Sequence, residues 1–198
     1  MTKTIFYLNG PPSSGKNTLC DYIVSKNQTF TEESNAGPLK RAVCALHSIS
    51  DAERKYLEST PARKNEKYDK FYGRSWRELC IEMSENFAKK EYSPAFFGDS
   101  LINRIKSNPK NRIIITDSGF GPEIMPVIEE FGSKNIHLIK LIPNYLLGED
   151  APTTGKFKGD SRSYLSGAEL GVKEHMLHNC HLDAFLMAGD RLLYSLVY

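Results

Sequence analysis

Apolar residues recur along the chain in two alternating patterns, short continuous runs and longer stretches with helical spacing. The short runs are typical of buried strands and cover about residues 3–9, 112–116 and 137–142, with a weaker extended stretch near 29–31. Between them, apolar residues three or four positions apart predict helices at about residues 15–26, from Pro38, from Ser75, around 101–105 and at about 122–131. This alternation predicts a three-layer α/β fold, in which a mostly parallel sheet is covered by helices on both faces.

A glycine-rich segment follows the first predicted strand directly and leads into the first predicted helix. Two glycines separated by four residues, Gly10 and Gly15, let backbone N–H groups turn inward around a phosphate. Lys16 adds a mobile positive charge for the β- and γ-phosphates of ATP. The segment therefore predicts a nucleotide-binding loop formed by Gly10, Ser13, Ser14, Gly15, Lys16, Asn17 and Thr18. The alternative is a turn between strand and helix that binds nothing.

Position 17 departs from the standard phosphate loop. The usual Ser or Thr, whose hydroxyl coordinates Mg²⁺, is replaced by Asn17, and Thr18 follows one place later. The amide oxygen of Asn17 can hold the metal directly or through water, although more weakly than a charged ligand. Thr18 is then expected to contact the α-phosphate.

Asp117 directly follows the predicted strand of residues 112–116, as the acidic residue does at the end of a Walker B strand. The carboxyl ends of parallel strands face the ligand cleft, so Asp117 is expected to lie across that cleft from the phosphate loop and to orient Mg²⁺. The alternative is an aspartate that caps the following turn.

After Pro143 the periodic pattern gives way to Gly, Asp, Thr, Lys and Ser residues. Long irregular segments in compact domains are often functional, so about residues 144–165 are predicted to form a lid that brings cations over the transferring phosphate. The cations of this segment are Lys156, Lys158 and Arg162, and Arg162 is the candidate for stabilising the transition state. The alternative is a plain surface loop.

Cysteines and histidines give only weak indications of a metal or redox site. The four cysteines form no C-x-x-C pair and are expected to be ordinary buried thiols. Three histidines and a cysteine cluster near the C-terminus, where a zinc site competes with a polar helix end or loop; they are His175, His178, Cys180 and His181.

Length and charge restrict the class of protein. The chain of 198 residues, 40% of them hydrophobic, is expected to form one domain. A formal net charge of +2 is too close to neutral to indicate binding of long nucleic acid. No apolar run reaches membrane-spanning length, and the N-terminal residues read as a strand without a signal-peptide pattern, so we expect a cytoplasmic protein without a membrane partner. Whether it forms a homodimer is left open by the sequence.

Several short motifs, in order, resemble those of the deoxynucleoside monophosphate kinases of tailed bacteriophages, a branch of the P-loop nucleoside monophosphate kinases. The family's Gly-Lys-Asp-Thr resembles residues 15–18, its Phe-Ala-Asp-Pro-Leu-Lys resembles residues 35–40, and its Pro-Arg-Glu resembles residues 76–78. Its Asp-x-Arg-Phe-x-x-Glu resembles residues 117–123, where Gly119 stands in the place of the arginine. The resemblance extends over most of the chain.

This resemblance implies an enzyme that transfers the γ-phosphate of ATP, with Mg²⁺ as cofactor, to a nucleoside or deoxynucleoside monophosphate. Its place would be the host cytoplasm if the chain is phage-encoded. Lys16, Arg162 and Asp117 are the expected catalytic residues, and Asn17 with Asp117 the expected metal contacts.

The acceptor side also follows from the resemblance. It implies a substrate-binding helical insertion at about residues 36–106, in which Arg77, with Lys40 or Arg41, grips the acceptor monophosphate. Two alternatives stay open: a P-loop kinase for another small phosphate acceptor, and a nucleotide-binding regulatory protein without turnover.

Overall fold

The computed structural model describes residues 2–146, 154–157 and 160–197, and their backbone forms the following strands and helices. The strands are β1 Thr4–Asn9, β2 Phe30–Glu33, β3 Lys67–Tyr68, β4 Arg74–Ser75, β5 Arg112–Ile115, β6 Ile136–Pro143, β7 Gly155–Lys156, β8 Ser163–Tyr164 and β9 Lys173–Asn179. The α-helices are α1 Lys16–Lys26, α2 Gly37–Leu46, α3 Asp51–Glu58, α4 Pro61–Asn65, α5 Trp76–Ile81, α6 Lys89–Glu91, α7 Phe96–Ser107, α8 Gly121–Phe131, α9 Gly167–Leu170 and α10 Leu182–Ser195. No helix among these residues is both long and apolar enough to cross a membrane.

The chain divides into two compact units, Met1–Asn35 with Gly98–Tyr198, and Ala36–Phe97. In the first unit, five strands form a parallel sheet in the order β2-β5-β1-β6-β9. The central strand β1 pairs with β5 and β6, so that Tyr7 lies between Ile115 and Leu138. Because the strands are parallel, the carboxyl ends of β1, β2 and β5 lie at the same edge of the sheet.

Successive residues of the central strands β1, β5 and β6 are buried on opposite faces of this sheet. On one face, strand residues such as Phe6 and Ile139 pack against α1 and α10 through Leu19, Ile23, Phe185 and Leu193. On the other face, Ile5 and Ile113 belong to a core completed by Leu101 and Ile105 of α7 and Ile124 and Val127 of α8. The predicted three-layer α/β fold is confirmed.

The edge strand β9 and the helix α10 were not predicted from the sequence. β9 is mostly polar, and Leu177 is its buried residue, so the strand gives no apolar run. His175 and His178 lie in β9. A zinc site on a helix and a polar helix end are therefore both wrong for these two histidines. Three residues apart in a strand, they project from opposite faces of the sheet. The described residues contain no group of three or more metal-ligating side chains.

The second unit is helical, with the short hairpin β3-β4 beside its helices. Its core is formed by Val43, Leu57, Phe71, Trp76 and Leu79 together with Ile49. The predicted helix start at Pro38 is confirmed, and so is the N-cap Ser75, whose Oγ accepts from the backbone N–H of Glu78 at 3.2 Å. The end predicted for the helical insertion, about residue 106, lies in α7, which belongs to the first unit from Gly98 onward.

The helix that starts with α5 does not keep the predicted apolar side throughout. The sequence places Phe87 on that side, but the structure leaves it 50% exposed and buries Ala88 instead. The cause is a π-helical segment, Glu82–Ala88, in which each turn takes in one more residue. Side chains after it are therefore rotated relative to an α-helical pattern.

The cysteines differ from the expectation of buried thiols. Cys20 is buried and Cys44 and Cys80 are partly buried, whereas Cys180 is exposed. All four are free. Cys180 is exposed because it lies in the turn between β9 and α10 at the edge of the sheet.

Candidate functional site

The glycine-rich loop lies between β1 and α1, as predicted, and its two glycines are required sterically. A Cβ on Gly10 would lie 2.7 Å from Ser14 Oγ and 2.8 Å from the carbonyl oxygen of Leu141. Gly15 has a φ of +94°, and a Cβ there would lie 2.8 Å from Asn179 Nδ2. Side chains at either position would force the loop open, so the glycines keep its backbone close and turned inward.

Lys16 is the first residue of α1 and is almost fully buried, with 8% of its surface exposed. Its Nζ donates to the carbonyl oxygens of Gly10 and Pro11, both at 2.7 Å, and to Ser14 Oγ at 3.2 Å. The ammonium group therefore lies within the curve of the loop. A phosphate bound there would meet a positive charge that is already in place, beside the N-terminus of a helix.

Asn17 and Thr18 occupy the first turn of α1, and both side chains are exposed. No acidic residue lies in this turn, so the positive end of the helix dipole is not neutralised locally. The seven predicted nucleotide-binding residues thus all lie in the loop after β1 or in the first turn of α1. The amide oxygen of Asn17 is a hard donor of the kind that Mg²⁺ accepts.

Asp117 follows β5 and joins it to the end of the neighbouring strand β2. Its Oδ2 accepts from Ser34 Oγ at 2.7 Å, and its Oδ1 accepts from the backbone N–H of Asn35 at 2.8 Å. Both partners belong to the segment that follows β2, and neither belongs to the turn that follows Asp117. Carboxylate oxygens are hard ligands of the kind that Mg²⁺ prefers, so the chemistry of the Asp117 side chain fits this metal.

Arg162 is bound in a bidentate pair to Asp160, which has 2% of its side chain exposed. Arg162 Nε donates to Asp160 Oδ1 at 3.0 Å, and its terminal NH2 donates to Oδ2 at 2.7 Å. Burial disfavours the charged guanidinium, but the hydrogen bond and charge of Asp160, with the charges of Asp117 and Glu123, raise the pKa of Arg162. The two predicted catalytic groups Arg162 and Asp117 therefore share one electrostatic neighbourhood.

The backbone next to Arg162 is tied to the end of β1 by Asn9, a fully buried residue. Asn9 Nδ2 donates to the carbonyl oxygen of Ser163 at 3.0 Å, and Asn9 Oδ1 accepts from the N–H of Leu165 at 2.9 Å. The N–H of Ser163 donates to the carbonyl oxygen of Gly119 at 3.1 Å. Residues 162–165 are thus anchored to the sheet, whereas residues 147–153, 158 and 159 of the predicted lid, Lys158 among them, lie outside the described residues. Lys156 is exposed.

Two contacting residues were missed by the sequence analysis. Asn9 stands at the start of the glycine-rich segment, and a buried strand that ends in an amide was the available signal. Asn179, at the end of β9, donates from Nδ2 to the carbonyl oxygen of Ser14 at 3.2 Å. Because β9 itself was not predicted, nothing in the sequence pointed to Asn179.

The predicted acceptor residues lie together in the second unit. Lys40 and Arg41 are on α2, and Arg77 is in the first turn of α5. These helices share a core through Val43 and Leu79. Lys40 Nζ forms an ion pair with Glu58 Oε1 at 2.8 Å, and Arg41 is exposed.

No protein family matches the chain, and no curated protein matches it either. Among solved structures, the chain is similar to a gluconokinase from Sinorhizobium meliloti 1021 at 12% sequence identity, over 99% of this chain and 95% of that chain, with a TM-score of 0.45. The structure itself is a three-layer α/β fold, a parallel sheet with helices on both faces and a glycine-rich loop between β1 and α1.

Proposed function

We propose that this protein is an ATP-dependent kinase that transfers the γ-phosphate of ATP to a nucleoside or deoxynucleoside monophosphate. The observation that carries the proposal is the position of Lys16 Nζ, within 2.7 Å of two carbonyl oxygens of a loop that only glycine permits at Gly10 and Gly15. A preorganised cation beside a helix N-terminus suits the β- and γ-phosphates of a nucleotide.

On the donor side, the backbone N–H groups of the loop would bind the phosphates of ATP, and Lys16 would exchange a carbonyl partner for a phosphate oxygen. Asn17 and Asp117 would hold Mg²⁺, which neutralises charge on the β- and γ-phosphates when bound. Both side chains offer the oxygen ligands that Mg²⁺ prefers.

Transfer itself requires alignment and neutralisation of charge. An oxygen of the acceptor phosphate forms a bond to the γ-phosphorus, and the bond from the γ-phosphorus to the β–γ bridging oxygen breaks, leaving ADP. The acceptor oxygen is already an anion, so no general base is needed. Arg162 would stabilise the transferring group, and its anchored position supports this role because an immobile cation needs no reorganisation in the transition state.

The acceptor would be held by Arg77 with Lys40 or Arg41. Their position on two helices that pack on one core supports a phosphate-binding unit. The choice of nucleotide as acceptor rests on the resemblance of residues 35–40 and 76–78 to the phage kinases.

The test is incubation of the protein with Mg-ATP and each common ribo- and deoxynucleoside monophosphate, followed by chromatographic separation of the products. Formation of ADP together with one or more diphosphates is the expected result. Binding of ATP without transfer to any acceptor would identify a nucleotide-binding regulatory protein. Transfer to a different phosphorylated small molecule would support the kinase activity but contradict the proposed acceptor.

A further inference from the structure

Two buried polar side chains in the first unit have no hydrogen-bond partner for their polar atoms among the described residues. They are the hydroxyl of Tyr7 and both amide atoms of Asn35. Tyr7 is fully buried and Asn35 is 2% exposed. Buried polar groups in folded proteins nearly always have a partner, and each one left without a partner lowers the free energy of unfolding. Their presence is explained if a ligand supplies the missing hydrogen bonds.

Both groups lie near Asp117, where the carboxyl ends of the strands meet. The backbone N–H of Asn35 donates to Asp117 Oδ1 at 2.8 Å. Tyr7 is in register with Ile115, two residues before Asp117 in the chain. Burial and the charges of Asp117 and Glu123 raise the pKa of the Tyr7 hydroxyl, so it stays protonated. This edge of a parallel sheet is where ligands of such folds bind.

The chemistry of the two side chains limits what they can bind. A protonated tyrosine hydroxyl donates one hydrogen bond and accepts others, and an asparagine amide offers a carbonyl acceptor and an NH₂ donor. The carboxylates of Asp117 and Glu123 and the guanidinium of Arg104 act on the Tyr7 hydroxyl in opposite directions, so these charges have no net positive sum that would attract a phosphate. The matching ligand group is therefore uncharged and presents a donor next to an acceptor, as the edge of a nucleobase does.

We propose that Tyr7 and Asn35 bind the polar edge of the nucleobase of the acceptor and thereby select which base is phosphorylated. The inference rests on the proposed function for the kind of acceptor. It assigns a base-recognition site to the first unit.

The first measurement is the stability of the protein without ligand. Tyr7→Phe and Asn35→Leu remove groups that lack partners, so the free energy of unfolding in urea should stay the same or rise. Tyr164→Phe is the matched control, because the Tyr164 hydroxyl donates to the carbonyl oxygen of Leu141 at 2.9 Å. Loss of that bond should lower the unfolding midpoint. A comparable fall for Tyr7→Phe and Asn35→Leu would show that both groups are bonded within the protein and would overturn the proposal.

The second measurement is direct binding of nucleoside monophosphates by calorimetry, which does not depend on turnover. Tyr7→Phe and Asn35→Leu should each raise the Kd of the preferred monophosphate about tenfold to a hundredfold, and should leave the Kd of ATP unchanged. Deoxyribose 5-phosphate, which has no base, is the control ligand, and its Kd should not change. An unchanged Kd for every monophosphate, or an equal rise for deoxyribose 5-phosphate, would overturn base recognition.

The outcomes separate this proposal from the function on which it rests. Monophosphate binding that the variants weaken, without phosphoryl transfer by the wild type, would contradict the kinase and leave the base site standing. Transfer by the wild type with variants of unchanged Kd would contradict the base site alone. If no monophosphate binds the wild type, both proposals fail.

Discussion

Arg162 occupies the space that a side chain at position 119 would need. A Cβ on Gly119 would lie 2.5 Å from the Cβ of Arg162 and 2.9 Å from its Cγ. Gly119 is also the position at which the resembling phage kinases have an arginine. In this chain the arginine in the electrostatic neighbourhood of Asp117 is Arg162, and its side chain packs across the glycine.

Gly119→Ala should therefore displace Arg162. The added methyl group cannot fit within 2.5 Å of another carbon, and a φ of +151° disfavours any residue with a side chain. We expect kcat to fall about tenfold or more, since misplacement by about 1 Å can cost a hundredfold, with a smaller effect on the KM for ATP. Steady-state kinetics measure both quantities.

Gly121→Ala is the matched control for this substitution. A Cβ there would meet nothing within 4 Å, and the residue is at the start of α8, where alanine is a good helix former. If Gly119→Ala and Gly121→Ala have equal kcat values, Arg162 does not act through its contact with Gly119.

The position of the glycine-rich loop between β1 and α1 was predictable because its sequence pattern is local. Gly10, Gly15 and Lys16 lie within seven consecutive positions, and the strand before them is a continuous apolar run. The contacts that complete the site join distant parts of the chain, as Asn9 Oδ1 does with the N–H of Leu165 across 156 residues. No periodicity marks such a pair, because the fold alone brings the two residues together.

Two further features could not be predicted for the same reason. β9 forms an edge strand through pairing with β6, with Leu177 next to Leu141, although its own sequence is polar. The π-helical segment Glu82–Ala88 moves Phe87 out of the core, and a pattern analysis with a fixed helical period cannot detect such a change in period.

Lys16→Ala should abolish phosphoryl transfer without unfolding the protein. The substitution removes the charge directed at the phosphates, and alanine is favourable in the first turn of a helix. A loss of at least about a hundredfold in kcat is expected, while a cooperative urea unfolding transition should show that the variant still folds. Lys106→Ala is the control, because Lys106 pairs with Glu130 on the exposed surface at 2.6 Å. Turnover close to wild type in Lys16→Ala would contradict the phosphate-loop assignment.

Arg77→Ala should raise the KM for the acceptor much more than the KM for ATP. Its guanidinium is expected to grip the acceptor phosphate, and one such charged bond contributes about 1.5–3 kcal/mol, or more than tenfold in KM. Arg63→Ala in the same unit is the control, because Arg63 lies over the ring of Tyr56 at 4.0 Å. Equal increases in the KM for ATP and for the acceptor would remove Arg77 from the acceptor site.

His137 should make the protein less stable in mild acid. Burial, with the charges of His175 and Lys173, lowers the pKa of His137 from 6.5 to about 4. Between pH 6.5 and about 4, the unfolded chain therefore binds a proton that the folded protein excludes, so the free energy of unfolding falls as the pH is lowered. Urea unfolding measured across this range should show the loss in the wild type and a smaller one in His137→Gln.

The control for His137 is His181→Gln, which replaces an exposed histidine and should follow the wild-type curve. His137 Nδ1 lies 3.3 Å from His175 Nε2, and glutamine can keep a polar contact there without titrating. Identical pH dependence of the wild type and His137→Gln would show that the loss arises elsewhere.

Asn17→Asp should lower the Mg²⁺ concentration at half-maximal activity. A carboxylate binds a hard divalent cation more strongly than an amide oxygen does, provided that its charge does not repel the β- and γ-phosphates more than it holds the metal. Asn17→Ala removes the oxygen and should raise the same midpoint. Because Asn17 is exposed in a helical turn without acidic residues, aspartate there also suits the helix dipole and should not destabilise the protein. Magnesium titrations of the three proteins decide the question: superimposable curves would exclude Asn17 from the metal site and leave Asp117 as its protein ligand.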